Sequence, residues 1–346
     1  WIVDNRVPLN IGFVTQFGDI VQNGDNYGDD SEWLIADAAM GLLEDPVTTS
    51  LADGIAYGLA PGNHDQGDTG DGSTGQTLLF NQYFGVSRFQ GRGYYGGSHA
   101  AGFNDNNYEL FSINGYDFII IHFEYDNNPP NTAVLDWADN LLKTYPNRRA
   151  IAVTHNMVYQ GFNANHSPQG KAIYEALKDN PNLFLMMGGH NTGEGQRQDT
   201  FNGNTVYSFL ANYASRSNGG NGWLRILEFS PANNEIRVKT YSPVLDQFET
   251  DADSQFTLPY DLQEAGFQVI ATNTNVPSGS NTSTTWPGLN FNTEYEWYAT
   301  VDDGSTNITG ETWSLTTLIP ANTPPTVDIE PDQQTITLPS DAYLDG

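Results

Sequence analysis

Residues 9–25 read LNIGFVTQFGDIVQNGD and residues 60–66 read APGNHDQ. In both, an apolar run stops at a glycine and hands over to a residue that carries chemistry. Ile11–Phe17 reads as a short buried strand ending in Gly18-Asp19, and Ile55–Leu59 leads into Pro61-Gly62-Asn63-His64-Asp65. The pattern recurs downstream. Arg149–Thr154 reads as a strand that delivers His155, and Leu183–Met187 as one that delivers Gly188-Gly189-His190. In an open α/β sheet the C-terminal strand ends converge on one crevice. Asp19, Asn63, His155 and His190 are therefore expected to meet. One carboxylate, one amide oxygen and two imidazoles make a mixed N/O set, which suits Mn, Fe, Zn or Co better than Ca or Mg. The glycines leave room for close backbone approach and sharp turns.

Between these strands the spacing predicts helices over Glu32–Leu43, Ala133–Leu142 (capped by Asn131 or Thr132) and Lys171–Leu177. Strands are expected at Tyr108–Ile113 and Tyr116–Phe123 around Asn114-Gly115, and a hairpin at Trp223–Phe229 and Glu235–Tyr241 around Asn233-Asn234. A Gly/Asp-rich loop fills Gly67–Gly75. Residues 1–246 thus read as an α/β domain.

Composition narrows the function. The chain has 346 residues, 13 Lys+Arg against 42 Asp+Glu, and a formal charge of −29. That length suggests about two domains. Hydrophobic residues at 38% mark a globular chain, and charged residues at only 16% show that the charge reflects scarce Lys and Arg. Such a field repels nucleic acids and anionic membranes, so a nucleic-acid scaffold role is excluded. It repels anionic substrates too, and a metal is the obvious local source of positive charge. The absence of Cys removes disulfides, thiolate metal sites and Cys nucleophiles. No apolar run is long enough to span a membrane. No signal peptide is read in this sequence, and both ends read as cut; the acidity fits an extracellular setting.

The ordered set Gly18-Asp19, Gly62-Asn63-His64-Asp65, His155 and Gly189-His190 resembles the calcineurin-like metallophosphoesterase family. The resemblance covers residues 1–246. It implies a four-layer α/β/β/α sandwich, with two mixed sheets face to face flanked by helices, and a site for one or two divalent transition ions. Asp19 would bridge two metals, while Asn63, His155 and His190 would complete the second metal's ligands. His64 would act as general acid or transition-state stabiliser, oriented by Asp65. The implied reaction is hydrolysis of a phosphate mono- or diester by attack of a metal-bound hydroxide. Two features depart from the family. Its opening Asp-x-His is absent, which truncation before Trp1 explains most simply. Its closing Gly-His-x-His reads Gly189-His190-Asn191-Thr192, with Thr192 where a first-metal ligand belongs. The segments GHNTGEGQR and WIVDNR look like those of a secreted bacterial subgroup, which places the protein outside the cell or on its surface. The rival expectation is a non-catalytic binding or adhesion protein on a degenerate phosphoesterase scaffold. A metallohydrolase acting on a non-phosphate ester is a third.

Arg197 is weighed equally as a phosphate-binding side chain and as a surface ion-pair partner. His122, ending the run FIIIH, is expected to be structural, and His99 and His166 to be exposed loop residues. The Asp-rich stretches GDNYGDDSE and DQGDTGDG read as solvated loops, since neither completes an EF-hand pattern. Asn165, Asn281 and Asn307 begin glycosylation sequons.

Past residue 246 helical patterns vanish. Residues 247–262 read as a connection. Short β-rich runs follow at Phe267–Thr272, Ser283–Trp286, Tyr295–Val301 and Thr312–Thr317. Residues 263–318 resemble part of a fibronectin type III domain through Trp286, Leu289, Tyr295, Trp297 and Trp313. The alternate spacing of Tyr295 and Trp297 favours core packing over a carbohydrate platform, and cell-surface or polysaccharide contacts are the partners such modules imply. Residues 319–346 read as a Pro-rich linker and the start of a further β domain.

Overall fold

The computed structural model describes residues 1–24, 29–67, 76–126, 131–262, 270–287, 289, 294–302, 306–317, 335–337 and 343–345. The chain divides into two compact units, Trp1–Tyr260 and Asp261–Gly346. In chain order the first unit contains α1 (Ile2–Leu9), β1 (Val14–Gln16), α2 (Ser31–Glu44), α3 (Pro46–Thr49), β2 (Tyr57–Leu59), α4 (Leu78–Phe84), α5 (Val86–Phe89), β3 (Tyr95–Ser98), β4 (Asn107–Ile113) and β5 (Tyr116–Phe123). It continues with α6 (Thr132–Thr144), β6 (Arg149–Thr154), β7 (Gly161–Phe162), α7 (Pro168–Leu177), β8 (Leu183–Gly188), β9 (Gly193–Phe201), β10 (Asn204–Asn212), β11 (Leu224–Ser230), β12 (Glu235–Ser242), β13 (Gln247–Glu249) and β14 (Phe256–Pro259).

The main sheet is mixed and eight-stranded, ordered β3-β4-β5-β6-β8-β10-β9-β7. Its central strands β5, β6, β8 and β10 run parallel. They are apolar on both faces because both faces are covered. Along β5, Ile119, Ile121 and Phe123 pack with Val134, Ala138 and Leu142 of α6 and Ile173 and Leu177 of α7. The alternate residues Phe118 and Ile120 pack with Ile236 and Val238 of β12 and Leu258 of β14. The four strands β11–β14 form a second sheet against that face. A third cluster packs Val14, Tyr57 and Leu59 of the parallel β1–β2 pair against Trp33, Leu43, Phe80, Phe84 and Phe89 from α2, α4 and α5. Fully burying each such large side chain contributes about 1.5–3 kcal/mol.

The β1–β2 pair joins the main sheet through buried polar contacts. His122 Nε2 lies 2.9 Å from Thr15 Oγ1, and its Nδ1 lies 2.9 Å from Glu109 Oε2. A Cβ on Gly58 would strike both the imidazole and the carboxylate, so only glycine fits there. Burial pushes the Glu109 carboxyl above its ordinary value, against the pull of His122.

Local signals set most boundaries. Asn131 Oδ1 accepts from Ala133 N and starts α6 one residue before the expected helix. Ser167 Oγ accepts from Gly170 N, and Pro168 fills the first position of α7, so this helix starts three residues before the expected Lys171. Residues 247–262 hold two strands of the second sheet, where the sequence reading expected only a connection. The long hairpin of β9 and β10 around Asn202-Gly203 was not expected at all.

In the second unit, β15 (Glu294–Trp297) pairs with β18 (Trp313–Thr316), and β16 (Thr300–Asp302) pairs with β17 (Asn307–Thr309). A third pair joins β19 (Thr335–Thr337) to β20 (Tyr343–Asp345). Trp297 faces Trp313 across the ladder with ring centroids 4.5 Å apart, and Trp286 packs on Tyr295 at 5.2 Å. Ser283–Trp286 forms no strand, and the run Tyr295–Val301 is split into two. Residues 267–269 of the run Phe267–Thr272, the Gly/Asp loop at 68–75, part of GDNYGDDSE and the Pro-rich stretch at 319–326 lie outside the described residues, and residues 270–272 form no strand.

Candidate functional site

Five strand ends meet on one side of the first unit. β1 runs out through Phe17 and Gly18 to Asp19, and its parallel partner β2 leads to Gly62, Asn63 and His64. β6 ends one residue before His155, and its parallel neighbour β8 ends two before His190. β5, parallel to β6 on the other side, delivers Tyr125 and Asp126.

The side chains expected to converge do so as a chain of contacts. Asp19 Oδ2 lies 3.1 Å from His155 Nε2. The rings of His155 and His190 stand edge to face, 5.0 Å between centroids. His190 Nδ1 lies 2.9 Å from Asn63 Oδ1. Tyr125 closes the group, with its ring 5.7 Å from His155 and 5.2 Å from His190.

Several features show a cluster held against its own comfort. His155 Nε2 is buried and makes no hydrogen bond, although a carboxylate oxygen sits beside it. Its Nδ1 lies 2.7 Å from Phe17 O, an acceptor, which turns Nε2 toward Asp19 Oδ2. Asp19 and His190 both adopt left-handed backbone conformations, at φ 52° and 63°. Such strain in non-glycine residues collects at functional sites. Gly18, at φ 91°, could carry no Cβ without meeting Gly62 Cα at 2.6 Å and His155 Nδ1 at 2.9 Å. Burial tends to raise the Asp19 carboxyl, but His155 and the His64 amide outweigh it and hold the group below its ordinary value. Burial, and then the neighbouring His155, push His190 down, favouring its neutral ring.

His64 is exposed at the edge of this group. Its backbone N donates to Asp19 Oδ1 at 2.9 Å. Its ring Nδ1 lies 2.9 Å from both the carbonyl oxygen and the side-chain nitrogen of Gln22. Gln22 therefore orients the imidazole and leaves Nε2 for other partners. Asp65, expected in that role, does not reach the His64 ring. Its carboxylate accepts from Gly62 N at 2.7 Å and Val21 N at 3.0 Å, so it ties the two site loops together through their backbones. Burial pushes its carboxyl up to about 7. The reason is local geometry: adjacent side chains in a turn point apart, and the buried one finds amides. Gln22 itself sits in a loop held by Glu32, whose carboxylate accepts from the amides of Gln22 and Asn23.

Arg197 is not part of the group. Its guanidinium holds Asp199 and donates to Ala164 O. Through Ser208 it lies level with Met186, well back from the strand end that carries His190. His166, expected to be exposed, is buried between Asp199, 3.0 Å away, and the Tyr174 ring. His99 packs against Trp137.

Among the described residues, Glu194, Asp251 and Asp253 are the three acidic or imidazole side chains whose oxygen or nitrogen atoms all lie within 4.8 Å of one another, a spacing that could hold a metal ion. Asp19, His155 and His190 do not close to that spacing, since His190 Nδ1 is drawn to Asn63. The Glu194 carboxylate is already filled, however. It accepts from Tyr213 at 2.7 Å, Thr240 at 3.1 Å and Ser254 at 2.6 Å, and it pairs with the buried Arg225.

No family model matches the chain. It is 33% identical over 331 residues to the uncharacterised protein YvnB of Bacillus subtilis (strain 168), an alignment that takes in 88% of this chain and 24% of that protein. The chain thus spans about a quarter of the length of the curated relative it matches. A solved structure described as GAP50, the anchor in the inner membrane complex of Plasmodium, aligns with a TM-score of 0.42 and 14% identity over 77% of this chain and 85% of that one. Among the described residues no helix is long and apolar enough to cross a membrane.

Proposed function

We propose that the first unit is a calcineurin-like metallophosphoesterase that hydrolyses phosphate mono- or diesters. One observation carries the reading: Asp19, Asn63, His155 and His190, read from four separate strand ends, meet in one contact chain around the unpartnered Nε2 of His155. A buried imidazole nitrogen that makes no hydrogen bond yet faces a carboxylate oxygen is what a cation-binding pair looks like, and the orienting bond from Nδ1 to a carbonyl is the usual support for a metal-binding histidine. The donor set fits Mn, Fe, Zn or Co. Such an ion, when bound, lowers the pKa of water and neutralises phosphoryl oxygens.

The chain's own residues supply the rest. Gln22 holds His64 by Nδ1, so that Nε2 can protonate the departing alkoxide or stabilise charge on it. The His64 amide keeps Asp19 Oδ1 turned inward, leaving Oδ2 toward His155. Asp65 fixes the spacing of the two loops. Tyr125 covers both histidine rings and limits water access from that side.

The test is metal content and turnover of the full chain with aryl phosphate mono- and diesters, beside His155→Ala. A stoichiometric transition ion and turnover, both lost in the variant, support the reading. An ion bound without turnover on any phosphate ester transfers the weight to a non-catalytic binding protein, with Thr192, at the place of a further family histidine, as its cause.

A further inference from the structure

Two asparagines behind the site histidines carry a further inference, one that rests on the metal-binding reading of the site. We infer that Asn156 and Asn191 are positioning residues: the hydrogen bond between their side chains sets the spacing of His155 and His190, and with it the affinity of the site for a divalent ion.

The need for such a link follows from the sheet. The register between β6 and β8 runs from Ala150 beside Leu183 to Val153 beside Met187. His155 lies two residues past that final pair, and His190 three past it. At the strand ends the two segments still touch through their backbones. A Cβ on Gly188 would meet Thr154 O at 2.6 Å and Met157 N at 2.9 Å, and Gly189 N donates to His155 O at 2.7 Å. The chain then leaves β8 through His190, in its left-handed conformation at φ 63°. Here the contact passes to side chains: Asn191 Nδ2 donates to Asn156 Oδ1 at 3.0 Å.

The two ends of this bond differ. Asn156 is the fixed end. Its carbonyl accepts from Oγ of the buried Ser167 at 2.6 Å, and Ser167 caps α7. Asn191 is the end that needs holding. It follows His190, and a strained backbone persists only where its surroundings over-determine it. Two groups do so here. Asn212 Nδ2, at the end of β10, donates to His190 O at 2.9 Å, and Asn156 takes the Asn191 side chain. The peptide after His190 is thus gripped at its carbonyl and again at the next side chain. With Asn156 fixed, this grip holds the His190 ring edge to face with His155, 5.0 Å between centroids.

An amide pair suits the task because it is directional and carries no charge. A carboxylate in either place would add charge beside Asp19, and an ammonium would repel the ion. Both asparagines are half-buried, so one neutral bond between them adds little to the fold. Its effect is on geometry. Groups that orient metal ligands from behind typically carry about 10–100-fold in metal affinity.

The test is a double-mutant cycle on the full chain: Asn156→Ala, Asn191→Ala and both together. Each is titrated with Co²⁺ and followed by visible absorption, which reports the ligands around that ion. Each single variant should bind Co²⁺ about tenfold more weakly than wild type, with an altered absorption band. The double variant should bind within about twofold of the weaker single, because either change breaks the same bond. The urea midpoint of the metal-free chain should stay at the wild-type value in all three. Single variants that bind within about twofold of wild type, or losses that multiply in the double variant, overturn the inference. So does a loss of affinity matched by a lower metal-free urea midpoint, which would assign the pair to the fold. Each of these outcomes leaves the metal centre standing. A wild-type chain that takes up no Co²⁺, Mn²⁺ or Zn²⁺ in equilibrium dialysis would instead bring down the metal-binding reading, and this inference with it.

Discussion

Glu194 and Asp19 are both carboxylates of the first unit set against a basic side chain, yet their surroundings differ in kind. Around Glu194 the acceptor sites are filled by Arg225, Tyr213, Thr240 and Ser254, and Arg216 stands near by. These donors join β9 to the segment after β10, to β11, to β12 and to the loop before β14. Around Asp19 the neighbouring His155 Nε2 has no hydrogen bond, two residues sit in left-handed conformations, and His190 reaches for an amide instead of a charge. Buried polar groups in folded proteins are paired as a rule, and each exception calls for an explanation. The first cluster is architecture, a cross-link between two sheets. The second has the unfinished look of a group arranged for something that is not protein. Substitutions should therefore separate the two: stability should respond at Glu194, and chemistry at Asp19 and its neighbours.

The largest expected effect is His64→Ala. A positioned acid or stabiliser contributes about 10²–10⁴-fold to rate. Steady-state kinetics of the metal-loaded chain should show kcat falling within that range. Because His64 is exposed, its thermal midpoint should stay put. A variant that loses less than fivefold in kcat would remove His64 from the chemistry.

Glu194→Gln should do the reverse. It leaves the Arg225 charge buried with a neutral partner, and breaking a buried pair costs about 3–5 kcal/mol. Urea unfolding at pH 7 measures the loss, and metal content should be unchanged. The sign with pH follows from the folded carboxyl. Burial tends to raise it, but the hydrogen bonds from Ser254 and Tyr213 and the Arg225 charge win and hold it below its ordinary 4.5. A depressed carboxyl stabilises the fold above its unfolded pKa, and that contribution is lost as pH falls through the folded value. The gap between wild type and variant should be full at pH 7 and narrow as the pH falls below 4.5 through the folded value. A gap that does not change with pH down to the acid unfolding of the protein would mean that Glu194 acts through shape alone.

Gln22→Ala sits at the seam between the two behaviours. It frees one side of the His64 imidazole but touches no core residue, since Gln22 is exposed. Loss of an orienting partner typically costs about 10–100-fold. The expected result is a loss near the lower bound in kcat, an unchanged KM, and a displaced acidic limb in the pH–rate profile. Rescue by Gln22→Asn would show that the carbonyl or amide acts by orientation.

The same contrast explains what the sequence could reveal. The strand ends were legible because a buried parallel strand is a continuous apolar run, and the residue after it has nowhere to go but the crevice. β6 appears at Arg149–Thr154, as its pattern predicted. The β9–β10 hairpin was not legible from β9, whose residues GEGQRQDTF carry no apolar alternation. Its only signal was the turn pair Asn202-Gly203, and its register comes from β10 lying parallel to β8. Gln22 was missed for a related reason. A glutamine in a loop has no chemical signature, and its role exists only because Glu32 of α2 accepts from the loop amides. Asp65 was placed one contact too far along. Its position next to His64 in sequence suggested a side-chain partner, but a carboxylate that is only 1% exposed takes the nearest amides first. Local pattern thus located the donors, and only packing could tell what holds them.

The smallest expected effect makes the comparison most direct. His190 is held at φ 63°, a conformation that costs an ordinary L-residue about 1–2 kcal/mol and that Asn tolerates better. His190→Asn keeps a polar side chain near Asn63 but removes the imidazole. If the histidine is kept for a metal, the metal-free variant should unfold at equal or slightly higher urea concentration, by up to about 1 kcal/mol, while metal content drops. At Glu194 no such trade is available, because its partners depend on it. A His190→Asn chain that loses more than about 1 kcal/mol in the absence of metal would show that the imidazole packing on Tyr125 and His155 is itself structural. The two clusters would then differ in degree, and the strained backbone at His190 would have to be ascribed to the turn out of β8.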